Sequence, residues 1–369
     1  MTLECAVCER YACRIGRLDA APPSCPMRGA FPDFETLYAA GSVQRLAYHS
    51  ARVEAEGYGR WVRLQEVAEV AQRMGYERIG VAYCPDMQRE AALTSRYLRL
   101  RGHDVVLPTP DGCDPVGQAA LFHDEEVQLI VVAGMCVGHD ALLLRHARAP
   151  VTCLVVRDLR LRHNPVGAIY ARRGYLKSAL YARRRPDGRP PFAGWTDDLL
   201  HDLAQRVRDR ECRAKGPPPC RLEQIMDFAQ LAGARHLGLV YCSGFRTEAR
   251  DLVAVLGTNG FRVASVCCKT GAVPKERLGI RDGEKVRPGR PEMICNPLAQ
   301  AELLEREGVE LVLLMGQCVG HDAATIGHLH TPAVFVAAKD RVLAHNTAAA
   351  LYAREDVDAP DGRRFGRDV

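Results

Sequence analysis

The chain repeats itself. Cys113, Asp114, Pro115, Val116, Gly117, Gln118 and Ala119 return as Cys295, Asn296, Pro297, Leu298, Ala299, Gln300 and Ala301. Cys136-Val137-Gly138-His139-Asp140 returns as Cys318-Val319-Gly320-His321-Asp322, and His163-Asn164 as His345-Asn346, all at an offset of 182. From Cys113 to Tyr170 the two copies align without a gap, with 23 identities in 58 positions. Upstream, Ile79 to Cys84 matches Leu237 to Cys242 at an offset of 158, so the second copy carries 24 extra residues between these landmarks. That insert, within 269–294, is rich in Gly, Pro and charge and is expected as a long loop. A duplication of this length demands two similar folding units, which 369 residues accommodate.

Each copy has the rhythm of an α/β sheet. In the second, 237–241 is a short apolar run expected as a buried strand, and 245–258 has helical spacing up to the stop at Asn259-Gly260. Strands are then expected at 261–266, 311–315 and 333–337, and helices at 297–307 and 322–329. Strand–helix alternation with short connections predicts parallel strands and right-handed crossovers. The expected architecture is two tandem Rossmann- or flavodoxin-like, doubly wound parallel-sheet domains behind an N-terminal cysteine knuckle. The divisions expected are 1–60 for the knuckle and lead-in, 61–182 for a shortened first repeat, and 183–220 for a linker with Cys212 and Cys220. The second repeat is expected at 221–355, and a tail at 356–369.

Fifteen cysteines are the main chemical asset. The N-terminus shows no apolar signal region and no stretch approaches the roughly 18 apolar residues of a membrane helix, so a cytoplasmic protein with reduced thiols is expected. Such thiols point to metal or catalysis rather than disulfides. In open parallel sheets, ligands bind beyond the carboxyl ends of the strands. Cys242 and Cys268 end the first two strands of the second copy, Cys295 precedes a helix and Cys318 follows the third strand, so all four are expected at one edge as cofactor ligands. The first copy keeps Cys84, Cys113 and Cys136 but has Pro108 near where Cys268 would align. It is either a degenerate structural site or an open, reactive one. Cys153, mid-strand and replaced by Phe335, is a small core hydrophobe.

Within the repeated Cys-Val-Gly-His-Asp motif, Gly138 and Gly320 are expected to turn the chain after the strand, and Asp140 and Asp322 either to cap the next helix or to serve as catalytic residues beside His139 and His321. His139 and His321 are candidate ligands, proton donors or hydrogen-bond partners of a thiolate. His345-Asn346 is a candidate substrate-orienting pair, or a bonding partner of the loop backbone. A separate group, Cys5-x2-Cys8-x4-Cys13 with Cys25-Pro26, has the spacing of a metal knuckle, for zinc or for [4Fe–4S]. Cys212 and Cys220 look like its remnant.

At these motifs the chain resembles a family of uncharacterised cysteine-rich bacterial and archaeal proteins, usually described only as metal-binding. The matching residues are Gly238 to Cys242, Cys268-Lys269, Val273-Pro274-Lys275-Glu276, Gly279-Ile280, Cys295 to Leu304, Cys318 to Asp322, and Lys339 to Asn346. Members typically carry one copy behind a cysteine knuckle, so the resemblance implies metal binding and supplies no reaction. The first copy departs by lacking the Val-Pro-Lys-Glu loop and its cysteine.

Thiolate-only ligation favours iron–sulfur, [4Fe–4S] in particular, or zinc over hard cations. Three functions compete: a redox or sulfur-transfer metalloenzyme acting on a small molecule or taking electrons from a donor, a metal carrier or sensor, and a structural zinc protein with Cys318 or Cys136 as nucleophile. No G-x-G-x-x-G follows a predicted strand, and no P-loop or Ser-His-Asp signature appears. The net charge is only +5, and the basic run from Arg172 to Arg185 lacks interleaved aromatics, so it reads as solvated linker rather than nucleic-acid surface. Duplication predicts an intramolecular pseudo-dimer, with a further homodimer open.

Overall fold

The computed structural model describes residues 3–29, 31–109, 114–181, 191–213 and 215–352. It contains two all-parallel, four-stranded sheets. The first comprises β1 (Arg78–Ala82), β2 (Asp104–Val106), β3 (Leu129–Ala133) and β4 (Val151–Val155) in the order β2-β1-β3-β4. The second comprises β5 (His236–Tyr241), β6 (Arg262–Cys267), β7 (Leu311–Met315) and β8 (Ala333–Ala337) in the order β6-β5-β7-β8. Each is the opening of a flavodoxin-like order, which settles the alternative left open by sequence. Strands buried on both faces read as unbroken apolar runs, and every residue of β3 and β7 is buried. The 269–294 insert is a loop with two short 3-10 turns. Among the described residues, no helix is long and apolar enough to cross a membrane.

Two of the expected connecting segments contain helices. The lead-in ends in a helix, Gly41–Glu56, and the 183–220 linker holds a 16-residue helix, Asp197–Cys212. The latter is capped by the Thr196 hydroxyl, which accepts from the Leu199 amide, and buries Leu200, Leu203, Ala204 and Val207. That i, i+3, i+4, i+7 stripe packs on the Val137–His146 helix, as Gly41–Glu56 packs on Val319–His328. Cys212 is therefore an exposed helix end and Cys220 a buried N-terminal residue of the Arg221–Ala232 helix, not a second knuckle.

The repeats are interlocked. The Val319–His328 helix lies on β4, and Val137–His146 lies on β8. Arg63 opens the Arg63–Met74 helix and crosses into the second repeat. Its guanidinium reaches Asp322 at 2.5 Å, the Gln317 carbonyl at 2.8 Å and the Cys153 carbonyl at 3.0 Å, while its amide donates to Asp340 at 2.8 Å. Arg221, its equivalent at the offset of 158, does the same in reverse. It pairs with Asp140, donates to the carbonyls of Met135 and Phe335 at 2.9 Å, and its amide meets Asp158 at 2.9 Å. Both arginines are fully buried.

The repeated motif thus plays roles other than those expected. The residues that begin the two helices are Cys136 and Cys318, and Asp140 and Asp322 sit one turn in, held by the opposite arginine. The turn after the strand falls to Gly134 and Gly316, with φ of 104° and 66°. Gly138 and Gly320 are helical and let the partner repeat come close. A Cβ on Gly138 would lie 2.4 Å from the Ala204 Cα, and one on Gly320 1.9 Å from the Ser50 hydroxyl.

Removing one member of a buried ion pair strands the other. Arg63→Met and Arg221→Met should each destabilise the chain by about 3–5 kcal/mol in denaturant unfolding, and Arg63→Met with Asp322→Leu should cost less than Arg63→Met alone. Losses below about 1 kcal/mol would show the pairs to be incidental. Gly138→Ala should cost about 1–3 kcal/mol by overpacking. Gly327→Ala, with open space around its Cβ position, should leave the melting temperature unchanged or raise it.

Candidate metal centre

Four of the chain's segments bring thiols to the carboxyl edge of the second sheet. Cys242 follows β5, with its sulfur accepting the Gly244 amide at 3.4 Å. Cys267 is the last residue of β6 and Cys268 the next, and the Cys268 sulfur accepts the Ser243 amide at 3.2 Å. Cys295 is placed by its neighbour Asn296, whose amide donates to the Cys268 carbonyl at 2.7 Å and whose side chain caps the Pro297–Glu307 helix. Cys318 starts the Val319–His328 helix. Cys242, Cys267 and Cys295 are the neighbours that act most strongly on the Cys268 thiol, and Cys295 and Cys318 those that raise His321.

Charge is concentrated around these sulfurs. The Lys339 ammonium lies 3.1 Å from the Cys318 sulfur and 3.2 Å from Glu54, which the Gly41–Glu56 helix of the lead-in supplies. The neighbouring Cys268 thiol, with Lys339 behind it, holds Cys242 down to about 5. Cys268, then Lys269 and His321, hold Cys295 well below the usual thiol range. Cys268 itself is pushed well above that range by the same three sulfur contacts. Burial opposes a charged His321, yet Cys295 and then Cys318 raise it to about 10. Lys269 and Lys339 are raised by the thiolates against the effect of burial. Sequence inspection missed Cys267, Lys269, Lys339 and Glu54 as parts of this centre. The doubled cysteine at 267–268 was the available signal for the first.

The knuckle docks beside it. The Ser265 amide donates to the Leu3 carbonyl at 2.6 Å, the Ala6 amide to the Ser265 hydroxyl at 3.0 Å, and the Tyr11 and Tyr241 hydroxyls lie 2.7 Å apart. Cys5, Cys8, Cys13 and Cys25 line one small enclosed space together with Cys267. The Cys267 thiol raises Cys13, and burial raises Cys5 and Cys25. Cys267 is held down by Cys13 and then by Cys268. The vicinal pair therefore joins the two cysteine sets.

In the first repeat, the Cys84 and Cys136 sulfurs and a ring nitrogen of His139 lie within 4.8 Å of one another. The Cys84 sulfur is 3.4 Å from His139 Nδ1 and accepts the Cys136 amide at 3.4 Å. Cys84, then His139 and Arg157, hold Cys136 well below its usual range. Arg157 occupies the place of Lys339 but is bound by Glu211 and Asp86. Cys113 lies outside the described residues. Cys153 is buried in β4 as a hydrophobe.

His345 and Asn346 stand apart from the sulfurs in bonding. His345 stacks on Phe245 with ring centroids 4.0 Å apart, its Nδ1 accepts the Asp340 amide at 3.2 Å, and burial with Lys339 lowers it to about 4. The Asn346 amide donates to the Leu343 carbonyl at 2.9 Å. Both fasten the loop after β8, as His163 and Asn164 do after β4. Asp140 and Asp322 hold the repeats together, as described above.

Two donor sets meet the chemistry of thiophilic metals: the edge cysteines with buried lysines, and the Cys84, Cys136 and His139 trio. Among known proteins, the chain is 37% identical over 134 residues to an uncharacterized protein of Methanocaldococcus jannaschii, covering 36% of this chain and 67% of that protein. Solved structures with partial likeness include Dph2 from Pyrococcus horikoshii with a 4Fe-4S cluster, at 11% identity over 80% of this chain and 92% of that one, TM-score 0.23. An aspartate racemase homologue from Pyrococcus horikoshii is similar at 12% identity over 75% of this chain and 97% of that one, TM-score 0.18. A family model described as protein of unknown function (DUF1847) matches residues 27–108, 106–154 and 197–336, and the chain belongs to that family.

Proposed function

We propose that the second repeat binds an iron–sulfur cluster, [4Fe–4S], through Cys242, Cys268, Cys295 and Cys318. On this reading it is a cytoplasmic redox or sulfur-transfer enzyme for a small molecule, supplied with electrons by a donor. The supporting observation is the convergence of four strand-end sulfurs with buried Lys269 and Lys339, a donor set of soft anions with fixed countercharge. Bound there, such a cluster supplies one-electron chemistry or sulfide. The protein's own part is electrostatic and positional. Lys339 neutralises Cys318 and is itself oriented by Glu54. His321 donates to Cys295 and Cys318 and fixes their orientation. The knuckle cysteines Cys5, Cys8, Cys13 and Cys25 form a second metal site with Cys267, and Cys84, Cys136 and His139 a third.

A zinc-binding carrier or sensor without turnover is the second reading. It is favoured by the first-repeat trio, since two sulfurs and one imidazole within 4.8 Å suit a single tetrahedral ion.

Protein purified without oxygen should be brown and contain iron and acid-labile sulfide in comparable amounts. A colourless preparation containing only zinc would overturn the iron–sulfur reading and leave the carrier. Cys5→Ala should remove metal from the knuckle alone and Cys318→Ala from the sheet edge alone, read as separate partial losses by metal analysis. Loss of the same metal from both variants would reduce the two sites to one.

A further inference from the structure

Two of the sheet-edge cysteines line an open cavity of about 520 Å³, within the range of about 300–1,000 Å³ usual for small-molecule sites. Cys242 and Cys295 form part of its floor. Its walls carry seven cationic side chains against two carboxylates, Glu54 and Glu292. The inner cations already have partners. Lys269 donates to the Met293 carbonyl at 2.7 Å, Lys275 pairs with Glu292 at 2.8 Å, and Arg341 pairs with Glu54.

The rim differs. Arg14 comes from the knuckle, Arg246 from the start of the helix after β5, and Arg287 and Arg290 from the insert that the first repeat lacks. Among the described residues, no carboxylate pairs with the guanidiniums of Arg14, Arg287 or Arg290. Arg246 donates to the Cys8 carbonyl at 2.9 Å and lies over the Tyr11 ring, 4.1 Å from its centroid, which orients it. Four guanidiniums facing one cavity repel one another, and an anion between them turns that repulsion into attraction. The planar fork of arginine suits two-oxygen groups.

We propose that this cavity binds a small molecule through its oxyanion, a carboxylate or a phosphate, clamped by Arg14, Arg246, Arg287 and Arg290 above Cys242 and Cys295. The proposal rests on the reading of the sheet edge as a reaction site only in making that anion a substrate. It also gives the insert a purpose: the second repeat differs from the first by the segment that carries half of the clamp.

The test is calorimetric titration of the full chain, purified without oxygen, with inorganic phosphate and separately with malonate at low salt. Iron is measured on the same samples. At least one anion should bind saturably, and the tighter of the two identifies the phosphoryl or carboxylate class. Arg287→Ser with Arg290→Ser, and separately Arg14→Ser, should each weaken it by about tenfold or more, with iron content unchanged. No saturable binding of either anion to the wild type, or wild-type affinity in both variants, would overturn the proposal. Anion binding by protein devoid of iron would uphold the clamp and remove the cluster instead.

Discussion

The structure depends on two buried guanidiniums, Arg63 and Arg221. Taking an arginine fully out of water is costly unless every donor finds an acceptor. Each here is met by an aspartate and two backbone carbonyls, one just beyond a strand and one in the middle of a strand, and Arg63 also by the Thr152 hydroxyl. All the acceptors used across the interface belong to the ends of strands or the first turn of a helix. These are the same few residues that carry the chemistry. Gln317 precedes Cys318, Asp322 follows His321, and Asp340 follows Lys339. The first repeat therefore fixes the neighbours of Cys318, His321 and Lys339 through a single arginine, and the lead-in adds Glu54 beside Lys339. The sheet edge belongs to both repeats at once.

The two edges have diverged within that common frame. Position 339 is a lysine aimed at a sulfur, whereas its counterpart Arg157 is drawn away by Glu211 and Asp86. Near Pro108 the first repeat has no cysteine to match Cys267 or Cys268, and the insert is missing. What remains in the first repeat is compact, with Cys84, Cys136 and His139 within mutual reach. The second adds Cys268 and Cys295, and residues of the insert line a cavity that reaches Cys242 and Cys295. Identical motifs have thus been given different charge environments by residues outside the motifs.

Much of this was legible in the chain. The strands 311–315 and 333–337 and the helix 297–307 appear at their expected bounds because buried parallel strands and a Pro-started, Gly-stopped helix leave plain marks. That Cys242, Cys268 and Cys318 stand just beyond strands and Cys295 just ahead of a helix could be read from the alternation of elements alone. Arg63 and Arg221 were not legible, since one arginine among many carries no sign of burial. Once they are seen, the aspartates of the repeated motif change from caps to clasps. The Asp197–Cys212 helix was hidden by its charge: only the spacing of Leu200, Leu203, Ala204 and Val207 distinguishes it from linker. Gly138 and Gly320 looked like turn residues because the partner that crowds them lies far away in sequence.

Cys267 and Cys268 bind the knuckle to the sheet edge in a way that bears on charge. Cys242, Cys267 and Cys295 are all held low, while Cys268 between them and Cys13 beside them are held high. Adjacent sulfur anions in a low dielectric repel strongly, so a thiolate is favoured beside a protonated neighbour. Metal ligation asks for every one of these sulfurs as thiolate. Lys269, Lys339 and His321 offset only part of the resulting charge, and the four cysteines of the knuckle bring no lysine of their own to their enclosed space. A sulfur set of this density is electrostatically satisfied by multivalent cations placed among the sulfurs, and the short span from Cys267 to Cys268 makes each site sense the charge held by the other.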